Sequence, residues 1–238
     1  MQFLAIDSGI RHAVSGASYA DVRTAAFMAY SWIAQNEGVS IADLKSAAES
    51  QEFSRLPYRG YLANIPLMHF QTHLESHLPE QLKGEEFLHR DSISIDPVTA
   101  VDSQVTYRLR ACAKHPIEEN DRIHRFREML HQWKEKADSE EKLRQLGAWM
   151  YESHAGYSSV GLGNVQTDDL VERVRQKGPR SGVFGARVSG GGSGGTVVIL
   201  SSGAKGEQTV REIHREYQQA VGHSVQLFSG SSEGALYS

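Results

Sequence analysis

Seven of the chain's 22 glycines fall between Gly182 and Gly195, and the run Gly190-Gly191-Gly192-Ser193-Gly194-Gly195 carries almost no side chain. Glycine is used at this density where backbone must adopt left-handed conformations or come into close contact with something else. The flanks, Val183–Ser189 and Thr196–Leu200, read as strands. The loop formally satisfies G-x-G-x-x-G, but that dinucleotide fingerprint needs a helix directly afterwards, whereas TVVIL is a strand. A Walker A loop would end in Gly-Lys-Ser/Thr, and here Thr196 follows the last glycine with no lysine. Two readings remain open on loop chemistry alone. One is a backbone that closely approaches a phosphate or another phosphate-binding loop; the other is a flexible hairpin turn.

The rest of the chain predicts an α+β protein. Met1–Ile6 reads as a strand that begins without a turn or cap, followed by a helix over Asp21–Ala34 with Ser18 as a nearby cap. Ser40 predicts the cap of a second helix, with Asp43 in its first turn. Pro57, Pro66, Pro79 and Pro97 punctuate residues 51–104 into short helices and loops. Val105–Ala111 alternates like a half-buried strand, and Ile117–Lys136 has helical apolar spacing with acid at its start and base at its end. Ser139 is expected to cap a helix through about His154, and Thr167-Asp168-Asp169 to open another ending at Gly178-Pro179. A helix over Thr209–Ala220, closed by Gly222, and a strand over Val225–Phe228 complete the chain.

Composition excludes several classes. With 25 basic and 29 acidic residues the net charge is −4, against a large nucleic-acid footprint. Cys112 is the single cysteine, so no intrachain disulfide or cysteine-rich zinc cage can form, which suits a reducing cytoplasm. No apolar run reaches the ~18 residues of a membrane span, and the start lacks the pattern of a secretory signal. His69, His73 and His77, at i, i+4 and i+8, could share a helix face and seat a metal, but nothing completes the set, and a solvated face is the favoured reading. Cys112 with His115 lacks an orienting third group and reads as a small buried hydrophobe. Asp7-Ser8-Gly9-Ile10-Arg11-His12 places charged groups at a strand end. There Arg11 could meet a phosphate or carboxylate, or form an interdomain ion pair. Tyr19 could stack on a sugar face or pack its helix on the sheet.

Taken together, IDSGIRHAVSGASYADVRTAAFM and GARVSGGGSGGTVVIL resemble two landmarks of the GHMP small-molecule kinases, and the segments DPVTAVDSQVTYRLRACAKHPIEENDRI and YESHAGYSSVGLGNVQTDDLVERV extend the likeness over nearly the whole chain. Within the family the chain resembles the L-arabinokinase and galactokinase branch. Ser193 stands where galactokinases usually carry Phe, and GYSSVGLG replaces a more acidic stretch, which favours an arabinokinase-like protein. The resemblance implies a two-layer antiparallel sheet with helices as the C-terminal domain over residues 39–238, and a strand and helix left from the N-terminal kinase domain over residues 1–38. It also implies roles: Tyr19 matches a sugar-pocket tyrosine, Arg11 lies in the loop beside the catalytic centre, and Gly190, Gly191, Gly192, Ser193, Gly194 and Gly195 match the third family motif, which packs near the phosphate loop.

The family's sugar-binding motif, its Pro-x-x-x-Gly-Leu-Ser/Gly-Ser-Ser loop for ATP phosphates and its catalytic aspartate all lie before the strand that opens this chain, and Asp7 follows the position of the base. The expectation is therefore the C-terminal half of a cytoplasmic sugar kinase that uses ATP and Mg²⁺ on a monosaccharide, inactive alone, with a separate N-terminal half as an expected partner. The alternative is a non-catalytic sugar- or partner-binding module. Strand Met1–Ile6 would then expose an unpaired edge and apolar surface.

Overall fold

The computed structural model describes residues 1–10, 17–90, 92–133 and 140–230. Two compact units result, one built from Met1–Ala13 and Arg125–Ser238, the other from Val14–His124.

The first unit contains a four-stranded antiparallel sheet, in spatial order β4-β5-β1-β6, from β1 (Gln2–Asp7), β4 (Val183–Val188), β5 (Thr196–Ser201) and β6 (Leu227–Phe228). The expected hairpin around the glycine loop is present, with Val188 opposite Val197. The opening strand corrects an expectation, because β1 has no fully open edge. It pairs with β5 from Gln2↔Ser201 to Asp7↔Thr196, and with β6 at Ala5 and Ile6.

Alternation along the strands sorts their side chains onto two faces. Leu4, Ile6, Ala186, Val197 and Ile199 pack with Leu170, Val171 and Val174 of α7 (Val165–Lys177) and with Val210, Ile213 and Tyr217 of α8 (Gly203–Val221). Phe184 and Leu200 instead meet Leu143, Leu146, Trp149 and Met150 of α6 (Glu140–Val160), with Phe126, Met129 and Leu130 alongside. Where α6 crosses β4 the two backbones touch at Gly147 and Gly185.

Local signals place most of these helices, with shifted starts. Asn164, not Thr167, caps α7, its Oδ1 accepting from the Gln166 N–H at 3.0 Å; Thr167 lies inside the helix, its hydroxyl donating to the Asn164 carbonyl. α8 begins six residues before Thr209, and Gly222 closes it in the left-handed conformation, donating to the Gln218 carbonyl. Ser139, the expected cap of α6, lies outside the described residues.

The second unit is built around α1 (Ala17–Asn36), whose Ala25, Met28, Ala29, Tyr30 and Ile33 are buried, and α2 (Ile41–Ser50), capped by Ser40 as expected. Short turns follow, including α3 (Leu67–His69), and α4 (Gly84–His89) comes after β2 (Leu82–Lys83), which pairs with β3 (Thr106–Tyr107). The strand expected over Val105–Ala111 shrinks to β3, because Leu109, Cys112, Ala113 and Ile117 form the buried stripe of α5 (Leu109–His131). That i, i+3, i+4, i+8 spacing is helical, and its packing overrides the local alternation. Asp96 pins the segment after α4 to α1: it accepts Arg23 Nε at 2.9 Å and Nη2 at 2.6 Å, and the Val98 and Thr99 N–H groups.

Candidate functional site

The glycine loop is anchored on its inner side and open on its outer side. Gly192 and Gly194 are buried and have φ of +85° and +122°, while Gly190 and Gly191 are exposed. A Cβ on Gly192 would fall 2.8 Å from the Tyr157 ring and 2.9 Å from the Leu162 carbonyl oxygen; one on Gly194 would fall 2.9 Å from Ile10 Cγ2. Both positions thus need glycine for space as well as for dihedral angle. The Ser193 N–H donates to the Leu162 carbonyl at 2.7 Å, and the Tyr157 hydroxyl to the Gly190 carbonyl at 2.8 Å. The Gly190 and Gly191 amides have no acceptor among the described residues.

β1 leads directly into the same place. The Ser8 N–H donates to the Gly195 carbonyl at 2.9 Å, and the Gly195 N–H to the Ile10 carbonyl at 3.2 Å. The Tyr217 hydroxyl fixes this strand end from α8 by donating to the Ser8 carbonyl at 2.8 Å. The Asp7–Ile10 segment and the glycine loop, nearly 190 residues apart in sequence, are therefore hydrogen-bonded neighbours. Arg11 lies outside the described residues.

Behind the loop sits a histidine that sequence reasoning passed over. His154 of α6 is 6% exposed; its Nδ1 accepts the Val188 N–H at 3.3 Å, and its Nε2 lies 2.9 Å from Asp168 Oδ1. The Nε2 contact is close but poorly aligned as a hydrogen bond, so its attraction is mainly electrostatic. Burial holds the His154 pKa below the ordinary histidine value; Asp168 opposes that, and the Arg175 and Arg187 charges reinforce it. The available signal was the spacing Leu146, Met150, His154, Tyr157, which puts a histidine on an otherwise apolar helix face.

In the second unit, Tyr19 stands in the first turn of α1 and is 41% exposed. His69, His73 and His77 do not share a regular helix face, because α3 passes into a π turn over Phe70–Leu74 and a 3₁₀ turn over Glu75–His77. Among the described residues no group of three His, Cys, Asp or Glu side chains is placed to hold a metal. Cys112 is buried, as a small hydrophobe would be, and burial pushes its thiol pKa up to about 11. No described helix is long and apolar enough to cross a membrane.

Known proteins resemble this chain in sequence and in fold. Residues 135–220 match the family profile described as GHMP kinases C terminal. The chain is 33% identical to L-arabinokinase of Arabidopsis thaliana over 99% of its own length and 24% of that protein, and 26% identical to galactokinase of Thermotoga maritima over 72% of its length and 47% of that protein. The structure superposes on galactokinase of Lactococcus lactis, solved in complex with galactose, with a TM-score of 0.58 and 16% identity, covering 98% of this chain and 47% of that one. The chain thus spans between a quarter and a half of the length of these relatives. These similarities show that the chain carries a GHMP kinase C-terminal domain over residues 135–220 and shares its antiparallel α+β fold with a galactokinase.

Proposed function

We propose that the chain is the C-terminal region of an ATP-dependent sugar kinase that phosphorylates the anomeric hydroxyl of L-arabinose or D-galactose. The observation that carries this reading is the likeness to L-arabinokinase along the entire chain, which includes the two segments, Asp7–Ile10 and Gly190–Gly195, that meet at the sheet's end. In the reaction the sugar oxygen bonds to the γ-phosphorus of ATP, the bond to the β-phosphate oxygen breaks, ADP leaves, and the hydroxyl proton passes to a base. Such transfer depends on positioning and electrostatics.

The residues present suit an auxiliary part in that chemistry. The exposed Gly190 and Gly191 amides are donors for an anionic group or for the loop that holds one, while the inner glycines fix where those donors stand. When bound, Mg²⁺-ATP supplies the phosphoryl group and neutralises its charge. The main phosphate loop and the aspartate base belong to residues outside this sequence, Arg11 supports that base, and the exposed Tyr19 ring lines the sugar site. The protein works in the cytoplasm.

The test is sugar-dependent ADP release from Mg²⁺-ATP with L-arabinose and with D-galactose. It is run on the chain alone, then on the chain extended by any in-frame sequence preceding its first codon or mixed with a separately encoded N-terminal half. No turnover alone and turnover when completed are expected. Turnover by the chain alone would refute the division of labour, and saturable sugar binding without turnover in any form would favour a binding module.

A further inference from the structure

We propose that His154 is the positioning residue of the glycine loop and acts as the neutral imidazole protonated at Nε2, a form selected by the Val188 N–H on one ring nitrogen and the Asp168 carboxylate beside the other. This goes beyond the kinase reading, and its test does not depend on it; only its bearing on phosphoryl transfer does.

β4 is an edge strand of the sheet, so every second N–H along it points away from β5. Hydrogen bonds alternate accordingly at its end: Ser189 N–H turns inward to the Thr196 carbonyl at 2.7 Å, whereas Val188 N–H turns outward, is buried, and has His154 Nδ1 as its acceptor. An imidazole nitrogen accepts only when unprotonated, so in the neutral ring the proton must sit on Nε2. That nitrogen is buried, and the Asp168 carboxylate 2.9 Å away is the charge that favours a proton there. The charged groups acting on the ring are Asp168 and Arg175 on α7 and Arg187 on β4 itself; together with burial they leave the imidazole neutral.

The donor, Val188 N–H, lies two residues before Gly190, at the last regular position of the strand. Three residues further along α6, Tyr157 holds the Gly190 carbonyl and lies under Gly192. One face of one helix therefore fixes the strand end and the loop's first turn together, while the loop's far end is fixed by β1. Release of the Val188 N–H would loosen the near end of the loop, leaving it to Tyr157 and the Ser189 N–H, while the far end stays tied.

The experiment is NMR on the isotopically labelled chain near pH 7.5. The expected results are an unprotonated Nδ1 and a protonated Nε2 on His154, with scalar coupling between Val188 N and His154 Nδ1 across the hydrogen bond. His154→Phe should speed Val188 amide exchange about tenfold or more and shift the Gly190–Gly192 amides. His154→Asn, which returns an acceptor near Nδ1, should restore both within about threefold. A proton on Nδ1, an unchanged Val188 exchange rate in His154→Phe, or shifts that stop short of the glycines would overturn the proposal. If His154→Phe does not fold, the tautomer and the coupling in the unmodified chain decide it. Nucleotide added to the completed protein in the previous test reports on the kinase reading separately, so either can fail while the other stands.

Discussion

Substitution of Gly147 by alanine sets two physical effects against each other. Gly147 lies inside α6, where alanine is favoured over glycine by about 1 kcal/mol, so helix propensity alone predicts stabilisation. The tertiary contact predicts the reverse. A Cβ on Gly147 falls 2.0 Å from the Phe184 carbonyl oxygen and 2.4 Å from its carbon, both rigid backbone, and a Cβ on Gly185 opposite falls 2.3 Å from Gly147 Cα. To reach an ordinary contact distance, α6 must withdraw from β4 by roughly 1 Å, and gaps of that size forfeit about a quarter to a half of each dispersion contact across the interface. Leu143, Leu146 and Met150 all pack through it. Overpacking of this kind costs about 1–3 kcal/mol or more, and a rigid carbonyl puts Gly147→Ala at the upper end, for a net loss of about 2–3 kcal/mol after propensity. The control is Ala148→Gly at the exposed neighbouring position, which costs about 1 kcal/mol through propensity alone. Urea unfolding read on the amide signals of β4 and β5 confines the measurement to this unit; with a slope of about 2 kcal/mol per molar, the Gly147→Ala midpoint should fall by roughly 1–1.5 M and lie below that of Ala148→Gly. A midpoint at or above the unmodified protein would show that α6 and β4 do not touch at backbone distance and refute the packing argument.

Asp96 is the buried acceptor that ties residues 96–99 to α1. Burial pulls its carboxyl upward, but the Arg23 and Thr99 side chains and the Val98 N–H together hold it below its ordinary value of 3.8. Its contribution is therefore present above about pH 4 and lost as pH falls through the lower folded-state value, and Asp96→Asn should flatten acid unfolding in that window. Arg23→Ala removes the buried carboxylate's only charged partner among the described residues and leaves it the Thr99 and Val98 donors, with an expected loss of about 3 kcal/mol in denaturant melts. Cys112, its thiol pushed up to about 11 by burial, should react with a thiol reagent at pH 8 only after unfolding; full labelling of the native chain within minutes would contradict its place in α5. Ser193 has φ of +59°, so Ser193→Gly should stabilise the loop by up to about 1 kcal/mol, and Ser193→Val should destabilise it, as thermal melts can rank.

Local chemistry made much of this fold legible. The Ser40 cap and the Gly222 stop act within four residues of themselves, and the strand–loop–strand order around Gly190–Gly195 follows from alternation on both sides of a run without side chains. Errors arose where a distant partner decides the outcome. Val105–Ala111 alternates, yet Leu109 begins a helix because its stripe continues through Cys112, Ala113 and Ile117. The helix expected over Ile117–Lys136 instead begins at Leu109, with Pro116 inside it. β1 looked like a bare edge because β5, its main partner, is nearly 190 residues away. His154 was silent for a related reason: its acceptor role exists only once α6 lies beside the end of β4.

The site combines parts that no contiguous stretch of this sequence contains. The loop's near end is held by α6 through His154 and Tyr157, its middle by the Leu162 carbonyl, and its far end by the exit of β1, itself tied down by Tyr217. The Leu162 and Ile10 contacts hold the inner side at Ser193 and Gly195, Tyr157 takes the Gly190 carbonyl, and none of the anchors takes an amide from Gly190 or Gly191. Fixed backbone donors are worth more to a developing negative charge than mobile ones, because they need no reorganisation when that charge arrives. A loop meant only to reverse the chain needs two residues of turn, whereas this one runs to six with three elements gripping one side. The arrangement is costly for a simple hairpin and well suited to presenting two amides at a defined place, which favours the phosphate-directed reading of the glycine run over the flexible-turn reading that its sequence left equally open.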